Sequence, residues 1–260
     1  LMECLKYFII IREWIKESQT QIPEFLDNII YNSGISFNFI NEQLDKLPLF
    51  NGSSEIENKD FKTYLNLSGY TFKKKNNSIT RGGYTILKNK KTLLIMDTGS
   101  SVDEKYSSKY QCGCLSFEIF SNKNKLITNS GFYLKNKNKL NEISKSTASH
   151  SVLYLKDHSS CVFNRYGIKQ GLKISNKKII TAKDIDQIKA SHNGYQKRFG
   201  YIHEREIQFL KNKKKFHGKD SLMQNGKAIN LDFGIRFHIY PGVKMAKTHK
   251  SNVILLSMKN

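Results

Sequence analysis

Two periodicities divide the chain. Over residues 1–47 apolar positions recur at helical spacing, and Leu5, Phe8, Ile9, Trp14 and Ile15 form one stripe. Pro23 opens a second segment, PEFLDNIIY, that NSG at 32–34 closes with Gly34 as its C-cap. A third, SFNFINEQLDKL (36–47), starts on Ser36 as N-cap and stops at Pro48. Short helices with apolar faces and few partners read as the end of a helical array. After LFNGSSE the period changes to two. GYTILKNKKTLLIMDTG (83–99) predicts a hairpin through an Asn-Lys turn, its second strand closed by Gly99. CLSFEIFSNKNKLITNSG (114–131) repeats the design, with Leu115, Phe117 and Ile119 on one face and Ser116 and Glu118 on the other. HSVLYLKDHSSCVFNR (150–165) predicts another pair, and the segments 193–222 and 228–243 continue the series. Frequent turn signals without interleaved helices predict an antiparallel β-sandwich. The expected fold class is therefore mainly β, with a helical part over 1–55 and a sandwich over 56–260.

Composition adds a charge problem. The 260 residues are 38% hydrophobic and 12% aromatic, enough for a folded core. Lys plus Arg number 43 against 22 acids, a net charge of +21. Only Arg12, Arg81, Arg165, Arg198, Arg205 and Arg236 are arginines, so the charge is carried by lysine. A lysine surface suits general attraction to polyanions rather than forked recognition of one phosphate or carboxylate. A Lys-, Asn- and Ile-rich coding bias produces the same excess. Both readings stand. A nucleic-acid partner is not expected, because the sequence shows no recognition helix, RNP-like stretch, KH loop or zinc finger. No apolar run is long enough for a membrane span, and LKYFIII (5–11) leads into REWIKES without a small-residue cleavage site. The four cysteines, at 4, 112, 114 and 161, do not make a disulfide framework. Cys112 and Cys114 lack the second pair that a zinc site needs and read as small buried hydrophobes.

Several stretches, taken in order, resemble the C-terminal sandwich of heparinase II/III-like polysaccharide lyases. They are SGYTFKKKNNSI, TLLIMDTGSS, GCLSFEIF, ITNSG, STASHSVLYL, ASHNGYQKRFGYIHERE and IRFHIYPGV. LPLFNGSSE before them resembles the exit from that family's helical toroid. The resemblance implies an (α/α) toroid followed by a two-sheet sandwich that binds acidic polysaccharide and cleaves it by β-elimination at a uronic acid. That chemistry needs a group to neutralise the carboxylate, a base for the neighbouring proton and an acid for the leaving oxygen. The resemblance also implies the periplasm or cell envelope as the compartment.

Metal-binding relatives carry an H-x-H pair before the strand that here reads CLSF, and Lys109 and Gln111 fall on those two positions. Their ligating Asp corresponds to Asn129, and their T-x-x-H histidine to His150. Lys109 stands at the place of the sandwich's catalytic histidine, so of the three ligand positions, 111, 129 and 150, only His150 is kept; amides make a poor zinc site, so no bound zinc is expected. His150 is the expected catalytic residue, while Lys109, Gln111 and Asn129 are expected to bind substrate. A lysine at 109 can neutralise a carboxylate but is a poor base near its usual pKa. For His150 the competing reading is a strand-entry histidine bonded to neighbouring backbone. His192 and Tyr195 read as packing and turn chemistry, and His203 and Arg205 as one side of a solvated cross-strand ladder. A non-catalytic glycan-binding sandwich is the alternative to a lyase.

Overall fold

The computed structural model describes residues 1–41, 43–72, 79–133, 139–248 and 252–258. The KKKNNS part of SGYTFKKKNNSI lies outside the described residues, as does Glu42 within the third expected helix. The chain divides into two units whose segments interleave: Leu1–Leu47 with Ile56–Gly82, and Pro48–Glu55 with Gly83–Asn260. No helix among the described residues is long and apolar enough to cross a membrane.

The first unit holds three helices, α1 (Met2–Glu17), α2 (Glu24–Asn41) and α3 (Lys59–Leu67), and a two-residue strand β1 (Thr80–Arg81). Leu5 and Ile9 of α1 pack with Leu26, Ile30, Ile35, Phe37, Phe61, Leu65 and Phe72. Trp14 stands outside that core, 66% exposed. The expected break at NSG does not occur, and α2 runs straight through it. Gly34 is buried in mid-helix, where an added Cβ would lie 2.3 Å from the Phe72 ring, so close packing rather than capping explains the glycine. Ser36 starts nothing. Its hydroxyl donates to the Asn32 carbonyl one turn back. The helix α3 falls in the span read from sequence as sandwich. Its short apolar stripe, Phe61 and Leu65, completes the helical core.

The second unit contains two main antiparallel sheets. One runs in the order β2 (Tyr84–Lys88), β3 (Thr92–Asp97), β4 (Phe117–Ser121), β5 (Asn124–Thr128) and then β14 (His238–Ile239). The other is built from β9 (Ile174–Thr181), β10 (Ile185–His192), β11 (Tyr201–Leu210) and β12 (Lys215–Gln224), in the order β12-β11-β10-β9. Smaller pairs join β6 (Leu153–Leu155) to β13 (Phe233–Ile235), β7 (Val162–Phe163) to β8 (Ile168–Gln170), and β15 (Lys244–Lys247) to β16 (Ile254–Ser257). Two short helices, α4 (Lys139–Lys145) and α5 (Gln196–Phe199), lie in the connections. The fold is the expected antiparallel sandwich preceded by helices.

The first hairpin forms as its turn chemistry predicts. Tyr84 faces Asp97 across it, and the Asn89 side chain accepts the backbone N–H groups of Lys91 and Thr92 at 2.9 and 2.8 Å. Residues 150–165 do not form a hairpin, because β6 pairs with β13 and β7 with β8. The β9–β10 hairpin was not anticipated, although Ile188 and Ala190 alternate on its buried face.

Candidate active site

The stretch before β4 is a turn rather than the start of the strand. Leu115 has a φ of 62°, a left-handed conformation unusual for a γ-branched residue, and the strand begins only at Phe117. Cys112 and Cys114 therefore do not share a strand face. Both thiols are free and buried, and burial pushes their pKa values up, which makes them inert small hydrophobes. Ser116 and Glu118, polar residues in this stretch, are both fully buried. Glu118 anchors the neighbouring loops: its Oε1 accepts from Leu49 N, the Thr128 hydroxyl and Asn129 N at 3.1, 3.0 and 2.9 Å. Lys125 lies 3.6 Å from its other oxygen, and burial raises its pKa despite that charge.

Of the four expected site residues, Asn129 is fixed by its N–H on Glu118, Gln111 bonds to the neighbouring Gly131 carbonyl, and His150 abuts Gly113, whereas Lys109 lies beside Gly52. His150 is 1% exposed. Its Nδ1 sits 2.9 Å from the Ser146 carbonyl, which can only accept, so Nδ1 carries the proton and Nε2 carries a lone pair. Among the described residues that Nε2 has no partner. Burial pulls the imidazole pKa down to about 4, so the ring is neutral at physiological pH. Gly113 makes room for it. An added Cβ there would stand 2.5 Å from His150 Cδ2 and 2.9 Å from Nε2.

Asn129 is also buried. Its Oδ1 accepts from Ser151 N at 2.9 Å, which assigns the amide, and its Nδ2 has no partner among the described residues. The site thus holds one orphan acceptor, on His150, and one orphan donor, on Asn129. Lys109 is exposed beside Gly52, where its ammonium is available to an anion.

Gln111 is a correction. It was expected to bind substrate, but its side chain is buried and fully engaged. Its Oε1 accepts from Gly52 N at 3.1 Å, and its Nε2 donates to the Gly131 and Ser144 carbonyls at 2.9 Å each. It ties three loops together and offers nothing outward.

The donor set does not suit zinc. His150 Nε2 supplies a lone pair, but Asn129 presents an N–H, the Gln111 amide is engaged and Lys109 is cationic. Among the described residues no group of three or more His, Cys, Asp or Glu is arranged to hold a metal.

A second buried cluster stands on β10, β11 and β12, where a solvated ladder was expected. His203 and Arg205 are 0% and 1% exposed. Asp220 faces Arg205 across the strands, and His192 faces His203. In a lone strand, alternation cannot tell a solvent face from one covered by a second sheet.

The family signature of the heparinase II/III-like C-terminal domain matches residues 73–260. The chain belongs to that family. Among solved structures it is similar to heparan sulfate lyase HepC from Pedobacter heparinus, with a TM-score of 0.72 and 15% identity over 97% of this chain. It is also similar to the heparinase III-BT4657 gene product, with a TM-score of 0.66 and 15% identity over 88%, and to a further heparinase III, with 0.63 and 18% over 96%. At such identities the likeness is one of fold. The chain spans 41%, 37% and 44% of those three structures, respectively. No curated protein matches it in sequence.

Proposed function

We propose that this heparinase II/III-like chain is part of a polysaccharide lyase that cleaves uronic-acid-containing polysaccharide by β-elimination, in the periplasm or cell envelope. Membership of a polysaccharide lyase family supports the reaction class. The observation that carries the site is the Nε2 of His150, without a partner among the described residues, on a ring oriented by the Ser146 carbonyl.

In the reaction a base removes the proton beside the uronate carboxylate, a carbon–carbon double bond forms, and the glycosidic oxygen leaves with a proton. In this reading the exposed Lys109 ammonium neutralises the carboxylate, which makes that proton more acidic. In the same reading His150 Nε2 accepts a proton and Asn129 Nδ2 donates a hydrogen bond to a substrate oxygen. Gln111 acts only by fixing the loop that carries Lys109.

A second reading is favoured by the same burial: a ring closed over by Gly113, with a pKa near 4, is a weak base, which suits a sandwich that holds acidic glycan without cutting it. The two readings separate on one substitution. The chain, together with any sequence that precedes it, should release unsaturated uronate detectable in the ultraviolet, and His150→Ala should lower that rate by on the order of 100-fold. Salt-sensitive glycan binding with no unsaturated product from either protein supports the second reading instead.

A further inference from the structure

Arg205 joins the second sheet to both walls of the His150 site. Its Nε and Nη2 donate to Asp220 Oδ1 and Oδ2 at 2.8 and 2.9 Å, a two-pronged pair. Its Nη1 donates to two backbone carbonyls on the far side, Leu115 at 2.8 Å and Ser151 at 2.9 Å. Ser151 follows His150 directly. Leu115 closes the left-handed turn whose Gly113 abuts the imidazole. One guanidinium therefore grips the carbonyl of the residue after the histidine and the turn against which its ring rests.

The hold on Arg205 extends further back. His203 Nε2 donates to Asp220 Oδ1 at 2.7 Å, so its Nδ1 is an acceptor and takes a hydrogen bond from His192 Nε2 at 3.1 Å. His192 Nδ1 in turn accepts from Gly194 N at 3.1 Å. Every proton in this chain is assigned by the one before it, and both histidines are neutral with hydrogen on Nε2. Burial alone would raise the Asp220 carboxyl, but the His203 hydrogen bond and the Arg205 charge bring it down to about 2. The carboxylate is thus a permanent anchor for the guanidinium.

We propose that Arg205, held by the Asp220–His203–His192 chain, is the positioning residue that keeps the His150 ring on the Ser146 carbonyl, the contact that sets its tautomer. The catalytic importance of that setting rests on the lyase reading above, whereas the setting itself does not. Lysine cannot replace the guanidinium, because it lacks the planar fork that serves two carbonyls and a carboxylate at once.

The test is nitrogen-15 NMR of the chain with labelled histidine at neutral pH, together with elimination kinetics of the longer polypeptide. The wild type should show His150 protonated on Nδ1, with His192 and His203 protonated on Nε2. Arg205→Lys should leave the circular dichroism spectrum native yet convert His150 to a mixture of tautomers, and lower kcat by on the order of 100-fold with KM little changed. His203→Gln, which keeps a donor toward Asp220 and an acceptor toward His192, is the milder variant should Arg205→Lys not fold. It should show a smaller change of the same kind. A folded Arg205→Lys, or a folded His203→Gln where Arg205→Lys does not fold, whose His150 signal is unchanged overturns the proposal. An intact wild-type tautomer pattern without any elimination product would overturn the lyase reading alone.

Discussion

His150 and Asp97 pull the pH dependence of stability in opposite directions. The histidine's pKa falls from 6.5 to about 4 on folding. Between those values the unfolded chain binds the extra proton, so the contribution is complete above 6.5 and is lost as pH falls toward 4. At most it amounts to roughly 3 kcal/mol. His192 and His203, both lowered chiefly by burial, act with the same sign. Asp97 is the reverse case. Burial raises it from 3.8 to about 6, against hydrogen bonds from Gly99 N and Asn51 Nδ2 at 3.0 Å each and the charge of Lys177. Here the folded chain binds the extra proton, so the contribution is complete below about 4 and is lost as pH rises through 6. Asp97→Asn removes this opposing term. Urea titrations should then show stability climbing more steeply from pH 4 to 6.5 than in the wild type. Parallel profiles for the two proteins would show that the carboxyl is not buried as described. None of this was legible from residue identity. The local pattern marks nothing at Asp97 and reads His203 and Arg205 as solvated, because burial depends on a second sheet that it does not contain.

Elements were legible where local chemistry is decisive. The 83–99 hairpin follows from alternation and an Asn turn, and the β11–β12 hairpin lies within the segment 193–222 expected to continue the series. Elements whose limits are set by packing were not. Gly34 has the look of a helix stop, yet α2 continues through it because the Phe72 ring fills the space a side chain would need. Gly34→Ala therefore tests packing against capping. A capping glycine replaced by alanine would lose left-handed freedom. A packing glycine replaced by alanine is overfilled and should destabilise the chain by about 1–3 kcal/mol, with helical content unchanged. A neutral or stabilising effect in thermal melts would contradict the packing account. The turn at 113–116 belongs with Gly34. Its short alternating sequence reads as strand, but Leu115 takes a left-handed conformation so that its carbonyl meets Arg205.

For the whole molecule, order and spacing of many weak motifs pointed to the family before any geometry did, and the match over residues 73–260 agrees. The same resemblance singles out His150, Asn129, Gln111 and Lys109, but the roles it implies for them do not all hold. Those depend on which hydrogen bonds each side chain has already made, and Gln111 had made all of its own. The +21 charge is consistent with an acidic polymer as partner. Its long-range part should weaken as salt shortens the screening length to about 10 Å at 0.1 M. The claim tested most directly is elimination beside a uronate carboxylate. The decisive measurement compares ultraviolet-absorbing product from a uronic-acid polysaccharide with product from the same polymer after its carboxylates are reduced, using the chain with any sequence that precedes it. Product from the first and none from the second is the predicted result. Equal product from both, or chain shortening without an unsaturated end, would contradict it.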